Sequence, residues 1–160
     1  AVFESVVGVK EAVSGYSGGK ASDANYQDVS AGRTNHAETV AVYYDPNIVD
    51  YQKLLVVFFD SHDPTTLNQQ GPDRGRHYRS AIFYQTDEER QLAENYVKLL
   101  LKKDKFSKIT TEITAFTGFY EAEEYHQNFK LRNPNHPYIK RVSDPRLQQF
   151  KRKHPDLLRK

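Results

Sequence analysis

Twice in this chain a two-residue hydrophobic alternation gives way, across a turn, to a helical spacing. That switch limits the fold more than any other feature. Residues 38–44 alternate, with Val40, Val42 and Tyr44 on one face and Thr39, Ala41 and Tyr43 on the other, which is the period of a strand. Asp45-Pro46-Asn47 ends it as a turn. Residues 51–61 then place Leu54, Leu55, Phe58 and Phe59 at the intervals of an amphipathic helix, with Asp50 in the capping position. The second instance starts with a short strand over residues 79–84. Thr86-Asp87-Glu88-Glu89 follows as a capping box, opening a helix whose Leu92, Ala93, Tyr96, Val97 and Leu100 share a face. Ile109, Thr111, Ile113 and Ala115 line a further strand. Strands separated by helices of about ten residues or more predict an α/β fold, a central mixed sheet flanked by helices.

The remaining segments fit around this frame. Residues 1–5 read as the tail of a helix broken near Gly8, and residues 9–15 as a strand leading into the turn Tyr16-Ser17-Gly18-Gly19. Residues 121–130 read as a helix, and Asp144-Pro145 as the cap and first residue of a last one. Residues 61–78 are polar, rich in Gly and Pro, and without a period. A loop that long in a compact domain is usually functional, so the site is expected there. At 160 residues a single domain spanning 1–160 is expected, large enough to need no metal or disulfide staple.

Composition removes several function classes. Lys plus Arg is 23 against 21 for Asp plus Glu, a net charge of +2 that gives no electrostatic case for nucleic acid. The basic excess lies in Lys151, Arg152, Lys153, Arg159 and Lys160, and reads as a solvated helix end. No apolar run approaches the roughly 20 residues of a membrane helix, so the expectation is a soluble chain with no membrane partner. Cysteine is absent, which excludes disulfides, thiolate-bound zinc, iron–sulfur clusters and a cysteine nucleophile within these residues. Methionine is absent too, and Ala1 opens mid-helix, so the numbering is expected to be N-terminally incomplete.

The side chains that could carry chemistry are few. The six histidines, His36, His62, His77, His126, His136 and His154, show no H-E-x-x-H spacing. His36, Glu38, His62 and Asp63 could supply a mixed ligand set for a metal-dependent hydrolase; otherwise these groups bond turns and helix ends. No G-x-S-x-G elbow surrounds Ser17, and Gly18-Gly19-Lys20 is no phosphate loop. Tyr26 and Tyr78 lie in polar, turn-rich sequence where burial is not the obvious reason for them. Glu38 enters an apolar strand, where desolvation would raise its pKa and keep it protonated near neutrality. A neutral carboxylic acid with two phenols would form a cluster of O–H donors suited to an oxygen that gains charge or a proton. Each also has a plainer reading, Glu38 as a salt bridge at a strand end and each tyrosine as a packing ring.

In order along the chain stand Gly15-Tyr16-Ser17-Gly18-Gly19, Tyr26, His36-Ala37-Glu38, Tyr44-Asp45-Pro46, His62-Asp63-Pro64-Thr65, Gln70-Gly71-Pro72-Asp73, Tyr78-Arg79-Ser80-Ala81-Ile82 and Tyr125-His126-Gln127. Taken together, from residue 1 to about residue 137, they resemble the A-type peptide methionine sulfoxide reductases, which reduce the S-epimer of methionine sulfoxide. The resemblance implies an α/β roll with a ferredoxin-like core. It implies Glu38 as the acid that protonates the sulfoxide oxygen, Tyr26 and Tyr78 as the phenols that hold it, and Asp73 as the loop carboxylate that positions site and substrate. It implies His126 as a contact to the substrate's main chain. No bound cofactor or metal is implied. The reductant would be an external thiol such as thioredoxin or an adjacent reductase domain, the substrates oxidised proteins or free methionine sulfoxide, and the location the cytoplasm.

The chain departs from that family in three places. The family attacks sulfur with a cysteine in a Gly-Cys-Phe-Trp motif that also builds the methyl pocket; none of it is present, and Ala1-Val2-Phe3-Glu4 resembles the helix just after it. The nucleophile is therefore expected upstream of Ala1. Asn35 stands where the family often has glycine. Ile139, after Pro137-Tyr138, stands where some relatives carry a resolving cysteine. With no thiol of its own, the chain has an alternative reading as a methionine-sulfoxide-binding module.

Overall fold

The computed structural model describes residues 2–124, 127 and 132–159. Its elements in order are β1 (Val9–Ser17), α1 (Tyr26–Ser30), β2 (Ala37–Tyr44), α2 (Tyr51–Asp60), β3 (Gln69–Gln70), β4 (Asp73–Arg74), β5 (Ala81–Tyr84), α3 (Asp87–Lys102), β6 (Glu112–Ala115), β7 (Phe119–Glu121) and α4 (Asp144–Lys153). This is the expected α/β class, with strands paired in both senses. One sheet has the order β2-β1-β7, with β7 antiparallel to β1; β5 and β6 pair in parallel; β3 and β4 form an antiparallel hairpin. The chain gathers into two compact units, one of residues Ala1–Ser14, Val40–His62 and Glu123–Lys160, the other of Gly15–Thr39 and Asp63–Ala122.

In the first unit Val6, Val9, Val49, Leu54, Val57 and Phe150 form a buried cluster, with Phe3, Val42, Tyr44, Leu157 and Leu158 packed on it. Helix α2 starts where expected, the Asp50 carboxylate accepting the Lys53 N–H at 2.8 Å. Its inner face differs from the expected one by a residue. Val57 is fully buried, whereas Phe58 is half-buried against the His62 ring, 4.3 Å away. Residues 5–7 and 157–159 are stitched together: Val7 N–H donates to Leu157 O (2.8 Å), Arg159 N–H to Ser5 O (2.9 Å), and Val6 bridges Leu158.

Three local expectations are corrected. Residues 1–5 do not form the end of an α-helix; Phe3–Ser5 is a single 3-10 turn. The break at Gly8 is real, with φ +94 and Val49 Cγ1 only 2.7 Å from where a Cβ would sit. Asp144 is not a cap, because a π-helical turn over Ile139–Ser143 runs directly into α4. Pro145 has no N–H for the turn before it, and that turn closes with the wider bond from Asp144 N–H to Ile139 O. The helix read over residues 121–130 is not there at its start: Glu121 ends β7, held by its pairing with Gly15. Residues 125, 126 and 128–130 of that stretch lie outside the described residues.

In the second unit, β5, α3 and β6 make a βαβ unit with Ala81 opposite Glu112 and Tyr84 opposite Ala115. Thr86 Oγ1 accepts the Glu89 N–H at 3.1 Å. The Glu89 carboxylate reaches back to the Gln85 N–H (2.8 Å), one residue earlier than the usual reciprocal bond. Ala93 and Leu100 are the buried residues of the face read from α3.

Candidate active site

The glycine-rich turn after β1 exists to enclose His36. Gly19 N–H donates to His36 Nδ1 (3.2 Å) and His36 Nε2–H donates to Lys20 O (2.8 Å), which fixes a neutral imidazole with its proton on Nε2. The ring is fully buried between Tyr16 and the edge of Tyr120. A Cβ on Gly19 would lie 2.7 Å from His36 Cδ2, so only glycine admits this approach. With both nitrogens engaged, His36 has no lone pair to offer a metal. His62 spends its Nδ1–H on Phe58 O (2.6 Å), and Asp63 Oδ1 accepts the Thr65 N–H (2.9 Å). Among the described residues no group of three or more His, Cys, Asp or Glu is arranged to hold a metal ion. His36 is the anchor of the strand entrance, not a ligand.

Two residues on, that entrance presents Glu38, the second residue of β2. Its side chain is open to solvent at its surface yet densely surrounded by protein atoms. Loss of hydration, with a smaller push from the Asp73 carboxylate, raises its pKa to about 7. Surface area measures where water touches, whereas the cost of charge depends on all the low-dielectric matter nearby. A reachable but poorly hydrated carboxyl satisfies both observations.

Asp73 comes from the stretch read as a long loop, and that stretch is ordered by polar bonds in place of a hydrophobic period. Gln70 Oε1 accepts the Asp63 N–H (2.9 Å) and its Nε2 donates to Asp63 O (3.0 Å). From the neighbouring segment, Thr110 N–H donates to Pro64 O (2.7 Å), and Thr110 Oγ1 lies 3.1 Å from both Pro64 O and Thr66 O. Gln70 pairs with Asp73 across the two-residue turn Gly71-Pro72, where Gly71 takes φ +56. A 3-10 turn over Arg76–Tyr78 follows. His77 there is 6% exposed, its ring 4.1 Å from that of Tyr78, and its Nδ1 has no hydrogen-bond partner. Burial pulls the His77 pKa down against the opposing Asp73 charge. Electrostatics and ring contact thus link Glu38, Asp73, His77 and Tyr78 in series.

Tyr26 opens α1, a helix that sequence periodicity did not reveal. Asn25 caps it, accepting the Asp28 N–H at 2.9 Å, and buried Val29 packs with Tyr16 and Ala122. Tyr26 is 39% exposed. Tyr26, Glu38, Asp73 and Tyr78 all belong to the second unit. His126 lies outside the described residues.

Sequence reasoning gave Arg79 no role of its own. Its Nη2 donates to Asn35 O (2.8 Å), Nη1 to His36 O (3.3 Å) and Arg76 O (3.1 Å), and Nε to Glu112 Oε2 (2.9 Å). Three of those acceptors are backbone carbonyls, which no residue pattern announces. An acid with its pKa raised to about 7, beside an ordered hairpin that carries Asp73, can deliver a proton near neutral pH.

Known proteins narrow that chemistry. Residues 1–157 match the family described as "Peptide methionine sulfoxide reductase". Peptide methionine sulfoxide reductase MsrA 2 of Synechocystis sp. is 48% identical over 161 residues, covering 99% of this chain and 75% of the relative. Peptide methionine sulfoxide reductase MsrA of Sulfolobus acidocaldarius is 44% identical over 156 residues, covering 98% and 88%. Among solved structures, reduced Mxr1 from Saccharomyces cerevisiae superposes with TM-score 0.74 at 35% identity, over 82% of this chain and 74% of that one. Matched along nearly its whole length, this chain belongs to the peptide methionine sulfoxide reductase family.

Proposed function

We propose that the protein reduces methionine-S-sulfoxide, free or in oxidised proteins, with Glu38 as general acid. The observation that carries this reading is the Glu38 carboxyl, reachable from solvent and raised to about 7. An acid with that pKa still holds a transferable proton at neutral pH, which is where general acid catalysis is most effective. As the S–O bond of the substrate weakens, charge gathers on oxygen; Glu38 donates to that oxygen, and the Tyr26 and Tyr78 phenols hold it. Loss of hydration, with a smaller push from the Asp73 charge, keeps Glu38 protonated. His126 is assigned the substrate's main chain.

The overall step takes a thiolate, a sulfoxide and one proton to a sulfenic acid and the free thioether. The sulfoxide sulfur gains the two electrons that the thiol sulfur loses. We assign the thiolate to a cysteine upstream of Ala1, since the 160 residues contain none. An external dithiol then returns the sulfenic acid to the thiol, releasing water and itself becoming a disulfide, with thioredoxin or an adjacent reductase domain in that role and the cytoplasm as the setting. The absence of cysteine favours one competing reading, a module that binds methionine sulfoxide without turning it over.

Turnover of methionine-S-sulfoxide separates the two. Protein extended upstream to include the thiol should be active, and the 160-residue chain inactive. In the extended protein Glu38→Gln should lower kcat by about 10²–10⁴-fold. Wild-type kcat in that variant would end the acid assignment.

A further inference from the structure

Arg79 uses four donor bonds in one place, and its side chain is only 11% exposed. Its position connects the two segments that matter. One is Asn35-His36, whose carbonyls it takes and which runs directly into Ala37-Glu38 at the start of β2. The other is the 3-10 turn Arg76–Tyr78, whose first carbonyl it takes and which it follows in sequence. Glu112, in β6, holds the Nε edge of the fork. His36 is independently pinned by Gly19 and Lys20, so the entrance is fixed from both sides.

We propose that Arg79 is a positioning residue: its guanidinium fork holds the Asn35 and His36 carbonyls against the Tyr78 turn and so sets Glu38 and Tyr78 relative to each other. This rests on the reading of Glu38 as the acid. Lysine cannot replace the fork, because an ammonium is a point donor on a flexible stem and cannot span carbonyls from two segments while meeting a carboxylate edge-on. Loss of the fork leaves the entrance to β2 held by the His36 ring alone, and a misplacement of about 1 Å at a reacting group costs up to roughly 10²-fold in rate. A loosened Glu38 also regains water and moves away from Asp73, the charged group acting on it.

The test uses protein extended to include its upstream thiol. Arg79→Lys should lower kcat roughly 10-fold to 10²-fold with KM changed less than about 3-fold. The alkaline fall of its pH–kcat profile should move to lower pH by about half a unit or more. Carboxyl ¹³C titration of Glu38 in Arg79→Lys should show the same downward displacement, and this readout needs no turnover. An unchanged Glu38 midpoint overturns the positioning role, whatever happens to rate or melting temperature. If Arg79→Lys fails to fold, Glu112→Gln decides: it keeps an acceptor for Nε but removes the charge, and should shift the Glu38 midpoint in the same direction by less. No shift there overturns the proposal as well. Full activity of Glu38→Gln alongside a shifted midpoint in Arg79→Lys would remove the acid role while leaving the positioning role standing, so the two failures read differently.

Discussion

Glu38 holds its proton more tightly in the folded chain than in the unfolded one, because folding strips water from the carboxyl and sets it near Asp73. Between its ordinary value of 4.5 and about 7 the folded state therefore binds more proton, and stability falls as pH rises through that window. Below it both states are protonated and the contribution vanishes. Glu38→Gln abolishes the titration, so thermal melts should match wild type near pH 4 and show the variant more stable near pH 8. The same group gives wild-type kcat an alkaline fall centred near 7 that the variant lacks. His36 makes a different demand. Gly19→Ala drives a methyl into the imidazole at 2.7 Å and should cost about 1–3 kcal/mol in urea unfolding. The raised pKa of Glu38 was legible in the sequence, since a carboxylate opening an apolar strand loses hydration. The bonding of Arg79 was not, because carbonyl acceptors are the same at every residue.

Elements with a hydrophobic period were readable: α2, α3 and β2 stand close to where their spacing places them. Elements without one were not. Helix α1 has five residues and one buried side chain, Val29, too few for a 3.6-residue repeat to register. The three residues of β7 owe their form to pairing with β1, a partner about a hundred positions away. The stretch from Ser61 to Tyr78 is ordered by side chains bonding backbone, and Gln70 is its hinge pin, with two bonds to Asp63 and a place opposite Asp73. Gln70→Ala should lower stability by about 1–2 kcal/mol. It should also reduce kcat by loosening the hairpin that carries Asp73. Comparing kcat with the unfolding midpoint distinguishes this local effect from global loss, since denaturant stability far from its threshold leaves kcat untouched.

Across the molecule the proposed acid, its two phenols and Asp73 fall within one compact unit, while the other keeps a hydrophobic core of its own. Phe150, 1% exposed in that core, is the large side chain by which α4 joins it. Phe150→Ala should cost about 3–5 kcal/mol, measured by calorimetry or denaturant, and Gln149→Ala on the exposed face of the same helix would not. His154 adds a polar lock, its Nε2 2.6 Å from Asp60 Oδ2 at the end of α2. Beyond α4 the backbone from residue 157 to residue 159 lies along residues 4–7, bonded at Val7 and Ser5. Whatever polypeptide leads into residue 2 therefore approaches beside residues 157–159. Polypeptide bulk placed just beyond residue 159 would crowd the stretch from which the attacking sulfur is proposed to come, whereas a short flexible spacer there would leave it open.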